Sequence, residues 1–217
     1  MEDEINWNRM QKEYWASEKE KKSVLAFFKR FNQENFEGIY NKIISLKNHD
    51  DAREIFYLIA KIIRIIEICD FLDKEKAEKN HDIDEIKIYL LISHSEIAAR
   101  LVSSGDGASL VKKFFQSEKT ELNYKIHASY EEKDKEGKLI KKILDASYFL
   151  YLVRCDYTHN GNFTGNIFRT GDCGKFYVFD ATEIGKNISV EFNLSYNDFM
   201  NVYVKALVEI IEKYLKK

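Results

Sequence analysis

Apolar positions recur along most of the chain at helical spacing. Over the first 35 residues Met10, Tyr14, Val24, Leu25, Phe27, Phe28 and Phe31 mark one or two helices, and the EKEKK run at 18–22 reads as their solvated face. A second helix is predicted over about 51–73. Asp51 with Glu54 three residues on has the form of a capping box, and the body IFYLIAKIIRIIEICDFL is apolar nearly all round, as a central helix is. A third starts in the same way at Asp82 and Glu85, runs through IKIYLLISHSEIAARLV to a stop at Gly105, and is expected antiparallel to the second. The signal then weakens to a short helix at SLVKKFF (109–115) and a charged, exposed turn at EEKDKEG (131–137). From about 138, KLIKKILDASYFLYLVRCDYTH predicts another strong helix, ended by Asn160 and Gly161, residue types that tolerate a left-handed backbone.

Beyond that helix the period changes from 3.6 to 2. NIFR, KFYVFD and ISVEFNL read as short strands, the first two joined across a turn at Gly171 to Gly174, the third carrying Ile188, Val190, Phe192 and Leu194 on one face. Ser195 is then the N-cap of a final amphipathic helix whose basic last turn complements the helix dipole. The expected fold class is mostly α, a single domain over 1–217 with a small antiparallel β insertion at about 166–194 before the C-terminal helix.

Composition narrows the classes. A chain of 217 residues suits one domain. Hydrophobic residues at 45% and aromatics at 14% exclude a disordered chain. With 32% charged residues, and no run near the length of a spanning helix, a membrane-embedded protein is excluded too. There is no proline, where average usage would supply roughly eleven, so long uninterrupted hydrogen-bonded segments are favoured. A net charge of -2 argues against a general nucleic-acid coat and confines any such contact to a local patch. Lys112, Lys113, Lys138, Lys141 and Lys142, which flank the fourth strong helix in sequence, could form one; Lys213, Lys216 and Lys217 read as ordinary surface. The start MEDEINWNRM lacks the basic and apolar regions of a signal peptide. Cys69, Cys155 and Cys173 are too few and scattered for a disulfide framework, so the expected location is cytoplasmic.

The candidate chemistry lies in RCDYTHNG, residues 154–161. Arg154 follows directly on the apolar run ASYFLYLV, so its guanidinium must be paired inside or presented into a cleft. His159 falls in the last turn, where the negative end of the helix dipole favours the imidazolium. Together the two residue types supply phosphate binding and acid-base chemistry. Five residues along an ideal helix turn about 140° and rise about 7.5 Å. The two side chains therefore meet only if the helix ends at His159 or if a second copy contributes across a dimer axis.

YLVRCDYTHNG resembles the HEPN superfamily, whose mark is Arg, four to six residues, then His near the end of a long helix. The resemblance implies an up-and-down helical bundle and a homodimer with two Arg-His pairs in one interfacial cleft. It implies a metal-independent endoribonuclease acting on RNA without a cofactor, as in defence, abortive-infection and toxin-antitoxin ribonucleases, with an antitoxin or a nucleotidyltransferase among its partner classes. Arg154 and His159 take the motif positions; Asp156, Tyr157 and Asn160 are the supporting or substrate-binding candidates. The family often has Asn, Asp or His directly after the Arg, where this chain has Cys155, and the polar residue comes one later as Asp156, read as an interfacial partner of Arg154 rather than a proton carrier. A subgroup silenced by nucleotidylation carries Tyr two residues after the His, where this chain has Gly161. Tyr151 and Tyr157 are of a type that stacks bases. The alternative is a HEPN-like module that binds RNA, nucleotide or a partner protein without catalysis.

Two rival constellations are weaker. His49-Asp50 and His81-Asp82 resemble the dipeptide of metal-dependent phosphohydrolases, but both sit at predicted helix starts, where Asp serves as a cap. Cys155, His159 and Cys173 could offer three zinc ligands, yet the paired four-ligand spacing is missing.

Overall fold

The computed structural model describes residues 10, 13–79, 83–160, 167–168 and 174–217, with side chains throughout except at 75–79 and 160. Over these residues the chain is mostly helical with one four-stranded antiparallel sheet. Helix α1 (Glu18–Arg30) starts where Ser17 Oγ accepts from the Glu20 amide at 3.4 Å. It buries Val24 and Phe28 against α2 (Phe36–Ile44), the rings of Phe28 and Phe36 being stacked.

The long helix α3 runs over His49–Lys79, further at both ends than its apolar run predicts. Its start is not the expected capping box. Asn48 Oδ1 takes the Asp50 amide at 3.0 Å, two residues earlier in the chain, and Asp51 instead accepts a hydrogen bond from the Tyr214 hydroxyl at 2.7 Å. Asp82, the expected cap of the next helix, lies outside the described residues. That helix, α4, spans Asp84–Ala99 and ends well before Gly105.

Helix α4 is the hub. It packs against α3, α5 (Gly107–Phe114), α7 (Ala146–Asn160) and α8 (Tyr196–Tyr214), the short α6 (Lys119–Lys125) lying between α5 and the sheet in the chain, and it carries polar groups into their midst. His94 is buried. Its Nε2 donates to the Leu58 carbonyl of α3 at 3.1 Å, and its Nδ1 accepts from the Tyr203 hydroxyl of α8 at 2.8 Å, whose oxygen also lies 2.8 Å from the Leu91 carbonyl. At the other end Lys87 is buried between Asp84 and Asp73, with its ammonium 4.6 Å from the centre of the Tyr196 ring. Asp84 Oδ2 accepts from the amides of Ile167 and Phe168, both at 2.9 Å. A buried ammonium persists only when paired in this way.

The sheet is where sequence and structure part. Its order is β2-β1-β4-β3, and half of it lies before α7: β1 is Ile126–Lys133 and β2 is Leu139–Leu144. The KLIKKIL segment, expected to open the fourth strong helix, is strand β2. EEKDKEG is the end of β1 and a tight turn in which Asp134 Oδ1 takes the amides of Glu136 and Lys138 and Gly137 adopts φ 81°. Only β3 (Lys175–Ala181) and β4 (Lys186–Phe192) come from the region read as an insertion. NIFR is not a strand at Ile167 and Phe168, whose amides are held by Asp84, and the turn predicted at 171–174 falls largely outside the described residues. Ile188, Val190, Phe192 and Leu194 are all buried as expected, and Ser195 caps α8 by accepting from the Asp198 amide at 3.1 Å. The inner face of the sheet joins the same apolar core as the helices, with α7 beneath it and the rings of Phe149 and Phe179 edge to face. Among the described residues no helix is long and apolar enough to cross a membrane.

His94 gives this architecture a pH dependence. Burial lowers its pKa from 6.5 to about 4. The unfolded chain therefore takes up this proton near pH 6.5 and the folded chain only near 4. The contribution to stability is complete above 6.5 and drains away as pH falls across that window, by on the order of 3 kcal/mol. Urea unfolding at a series of pH values is expected to show this loss in the parent. His94→Gln should be less stable at pH 7.5 and should show a flatter profile between 6.5 and 4.

Candidate functional site

Helix α7 is fixed at its start by two side chains: Asn123 Oδ1 accepts from the Ala146 amide at 2.7 Å and Asp145 Oδ1 from the Ser147 amide at 3.0 Å. Phe149, Leu150, Leu152 and Val153 are buried, and this apolar stretch drives the helix under the sheet and against α4. Arg154 comes next. Its side chain is 24% exposed, and its Nε lies 3.1 Å from Oε1 of Glu96 on α4, itself 12% exposed. The angle is not that of a hydrogen bond, so both buried atoms lack a hydrogen-bond partner and the contact is one of charge alone. Burial holds the Glu96 carboxyl above its ordinary pKa, with Arg154 and Arg100 pulling it back down.

Gly107, the first residue of α5, closes the far side of this pair. A Cβ there would stand 2.7 Å from the Tyr151 ring and 3.2 Å from Glu96 Oε2, so a larger residue would push into the site. Tyr151 is half-buried, its ring nearly parallel to that of Tyr148 with centroids 6.3 Å apart. A hydrogen bond with Cys155, then burial, raise its pKa.

The other candidates separate. His159 is exposed, and α7 continues through Asn160, so Arg154 and His159 both belong to the regular helix. With about 140° between them, one chain does not bring them together. Within one chain the counter-charge of Arg154 is Glu96. Asp156 is buried, and its Oδ1 accepts from Thr182 Oγ1 at 2.9 Å, tying α7 to the 3-10 turn Thr182–Ile184 between β3 and β4. Tyr157 is half-buried with its ring 4.8 Å from that of Tyr89 on α4. Asn160 is the last residue of α7; its side chain and Gly161 lie outside the described residues.

Glu96, Tyr89 and Gly107 are the residues that sequence reasoning missed. A signal for Glu96 existed: an arginine at the end of one apolar helix demands a counter-charge, and Glu96 is a carboxylate within another. Of the rival sets, Asp50 is ion-paired with Arg53 at 3.2 Å at the start of α3, and His81 and Asp82 lie outside the described residues. Cys155 is buried while His159 is exposed, and Cys173 lies outside the described residues. Among the described residues no group of three or more His, Cys, Asp or Glu side chains is placed to hold a metal ion.

No family model, no curated protein and no solved structure matches the chain.

Removing the counter-charge tests the local electrostatics. Glu96→Ala strands a largely buried guanidinium and is expected to cost roughly 2 kcal/mol in chemical denaturation. Glu96→Gln, which keeps the volume but removes the charge, should lose nearly as much. Equal stability of all three proteins would show that the pair contributes nothing.

Proposed function

We propose that the chain is a metal-independent endoribonuclease of HEPN type, built as an up-and-down helical domain and working as a homodimer at the ends of two α7 helices. The observation that supports this reading is the setting of Arg154: a guanidinium facing the partly buried Glu96 while still partly open to solvent, on the same helix as an exposed terminal His159. Because Arg154 and His159 both lie within the helix, which runs to Asn160, one phosphate meets both residue types when a second chain supplies one of them. Two α7 ends about a twofold axis would do so.

The chemistry is transesterification. The 2′-oxygen of the substrate attacks the adjacent phosphorus, the bond from phosphorus to the 5′-oxygen breaks, and His159 moves a proton as general base from the nucleophile or as general acid to the leaving oxygen. Arg154 balances charge on the non-bridging oxygens. The products carry 2′,3′-cyclic phosphate and 5′-hydroxyl ends. Tyr157 and Asn160 would contact the flanking nucleotide, whereas buried Asp156 would act by holding the helix.

One observation favours a second reading, a non-catalytic HEPN-like module binding RNA, nucleotide or a partner protein: Arg154 already has a counter-ion within its own chain. Labelled RNA incubated with the purified protein in EDTA decides. Cleavage to cyclic-phosphate ends is expected, and His159→Ala should slow it by about 10² to 10⁴-fold with RNA binding and thermal stability retained. Arg154→Lys should not restore full rate, since an ammonium cannot grip a phosphate in two places. RNA bound but uncut by the parent would establish the module instead. Unchanged cleavage in both variants would place any nuclease elsewhere.

A further inference from the structure

Among the described residues none covers the outer face of the sheet, and its apolar side chains are exposed. Ile143 is 84% exposed, Phe176 76% and Val178 65%. The strand register places these groups. One row across the sheet reads Ile143, Ser129, Ser189, Val178; the row to one side reads His127, Glu191, Phe176; on the other side Lys141 lies at the β2 edge and Asp180 at the β3 edge. Bulky apolar groups therefore stand at both edges, and the serines floor a shallow trough of about 410 Å³ between them. The outward charges differ between the halves: Lys141 and Lys133 with Glu131 on the β1-β2 half, Asp180 and Glu191 on the β4-β3 half, with His127 and Glu191 already 3.3 Å apart across the strands of one chain.

We infer that this face docks against the same face of a second copy of the chain. A twofold axis parallel to the strands, midway between two facing sheets and level with the gap between β1 and β4, keeps each row in place and exchanges the halves. It lays Lys141 over Asp180 of the partner subunit, His127 over Glu191 of the partner subunit, and Ile143 over Val178 of the partner subunit. Glu131, the carboxylate on the β1 half, meets the neutral Asn187 of the partner subunit. The serine floors face one another and leave room for bridging water, as interfaces commonly do. Two sheets stacked in this way form an aligned sandwich about 10 Å deep, and the contact is isologous, so every favourable pair occurs twice. The face presents about a dozen outward side chains against the 20 to 30 a side of a standard interface, which makes the contact a small one. The inference is independent of the ribonuclease reading, whose dimer uses the α7 ends.

Charge exchange tests it. Lys141 and Asp180 lie on opposite edges of the sheet and are exposed, so neither substitution disturbs the core or the other residue within one chain. In sedimentation velocity on the full chain, from about 1 to 200 μM, the parent is expected to double its mass with concentration. K141D alone and D180K alone each set like charges against one another and should raise the midpoint at least tenfold. Mixed one to one, the two variants restore unlike charges at both contacts and should associate like the parent, as should the double variant. A parent that never doubles, variants that associate like it, or a mixture that fails to recover would each overturn the inference. The readout is mass, so it stands or falls separately from RNA cleavage.

Discussion

The charged and ring groups that α4 buries need partners in the interior, and those partners come from several other parts of the fold. His94 joins α3 to α8, Lys87 gathers Asp73 and Asp84, Asp84 holds the chain at Ile167 and Phe168, and Glu96 faces Arg154. Leaving any of these groups unpaired in a medium of low dielectric would cost more than a typical apolar contact contributes. Apolar packing alone would tolerate a helix that slides or rotates by a few residues; these partners do not. The buried polar groups thus set the register in which the helices and the sheet meet.

The candidate site inherits that register. α7 is located at its start by Asn123 and Asp145, along its length by the sheet, and near its end by Asp156 on Thr182 and by Glu96 on Arg154. The segment that follows is caught again where Asp84 takes two successive amides. A guanidinium so placed loses little further freedom when it engages an anion, which is the condition under which binding energy can act on chemistry.

The helices were legible because their signals are local. Ser195 as a cap, the apolar run of α3 and the alternation in β4 each depend on residues within a few positions of one another. The β1-β2 hairpin was not, because KLIKKIL places Leu139, Ile140, Ile143 and Leu144 equally well on a helix face or along a strand. What decides between them is non-local: β1 pairs with β4, sixty residues or more further on, and β2 completes that sheet's edge. The same limit applied at the site. Arg154 and its need for a partner were visible in the run ASYFLYLVR, but the choice of Glu96 over nearby Asp156 depends on α4 crossing α7 at that level, and Asp156 being turned inward to Thr182.

The pairing of Arg154 also bears on how an anion would be recognised. A guanidinium already facing a carboxylate attracts a phosphate less than a free one, and the chain as a whole has a net charge of -2, so there is no general positive field to compensate. Affinity for a polyanion would therefore have to come from several groups converging at one place. A single α7 offers Arg154 and His159 in directions about 140° apart, whereas two helix ends related by a twofold axis offer both residues twice within one cleft. The counter-ion inside the chain, which taken alone suggests a structural role for Arg154, makes a second chain more necessary to any phosphate chemistry at this helix.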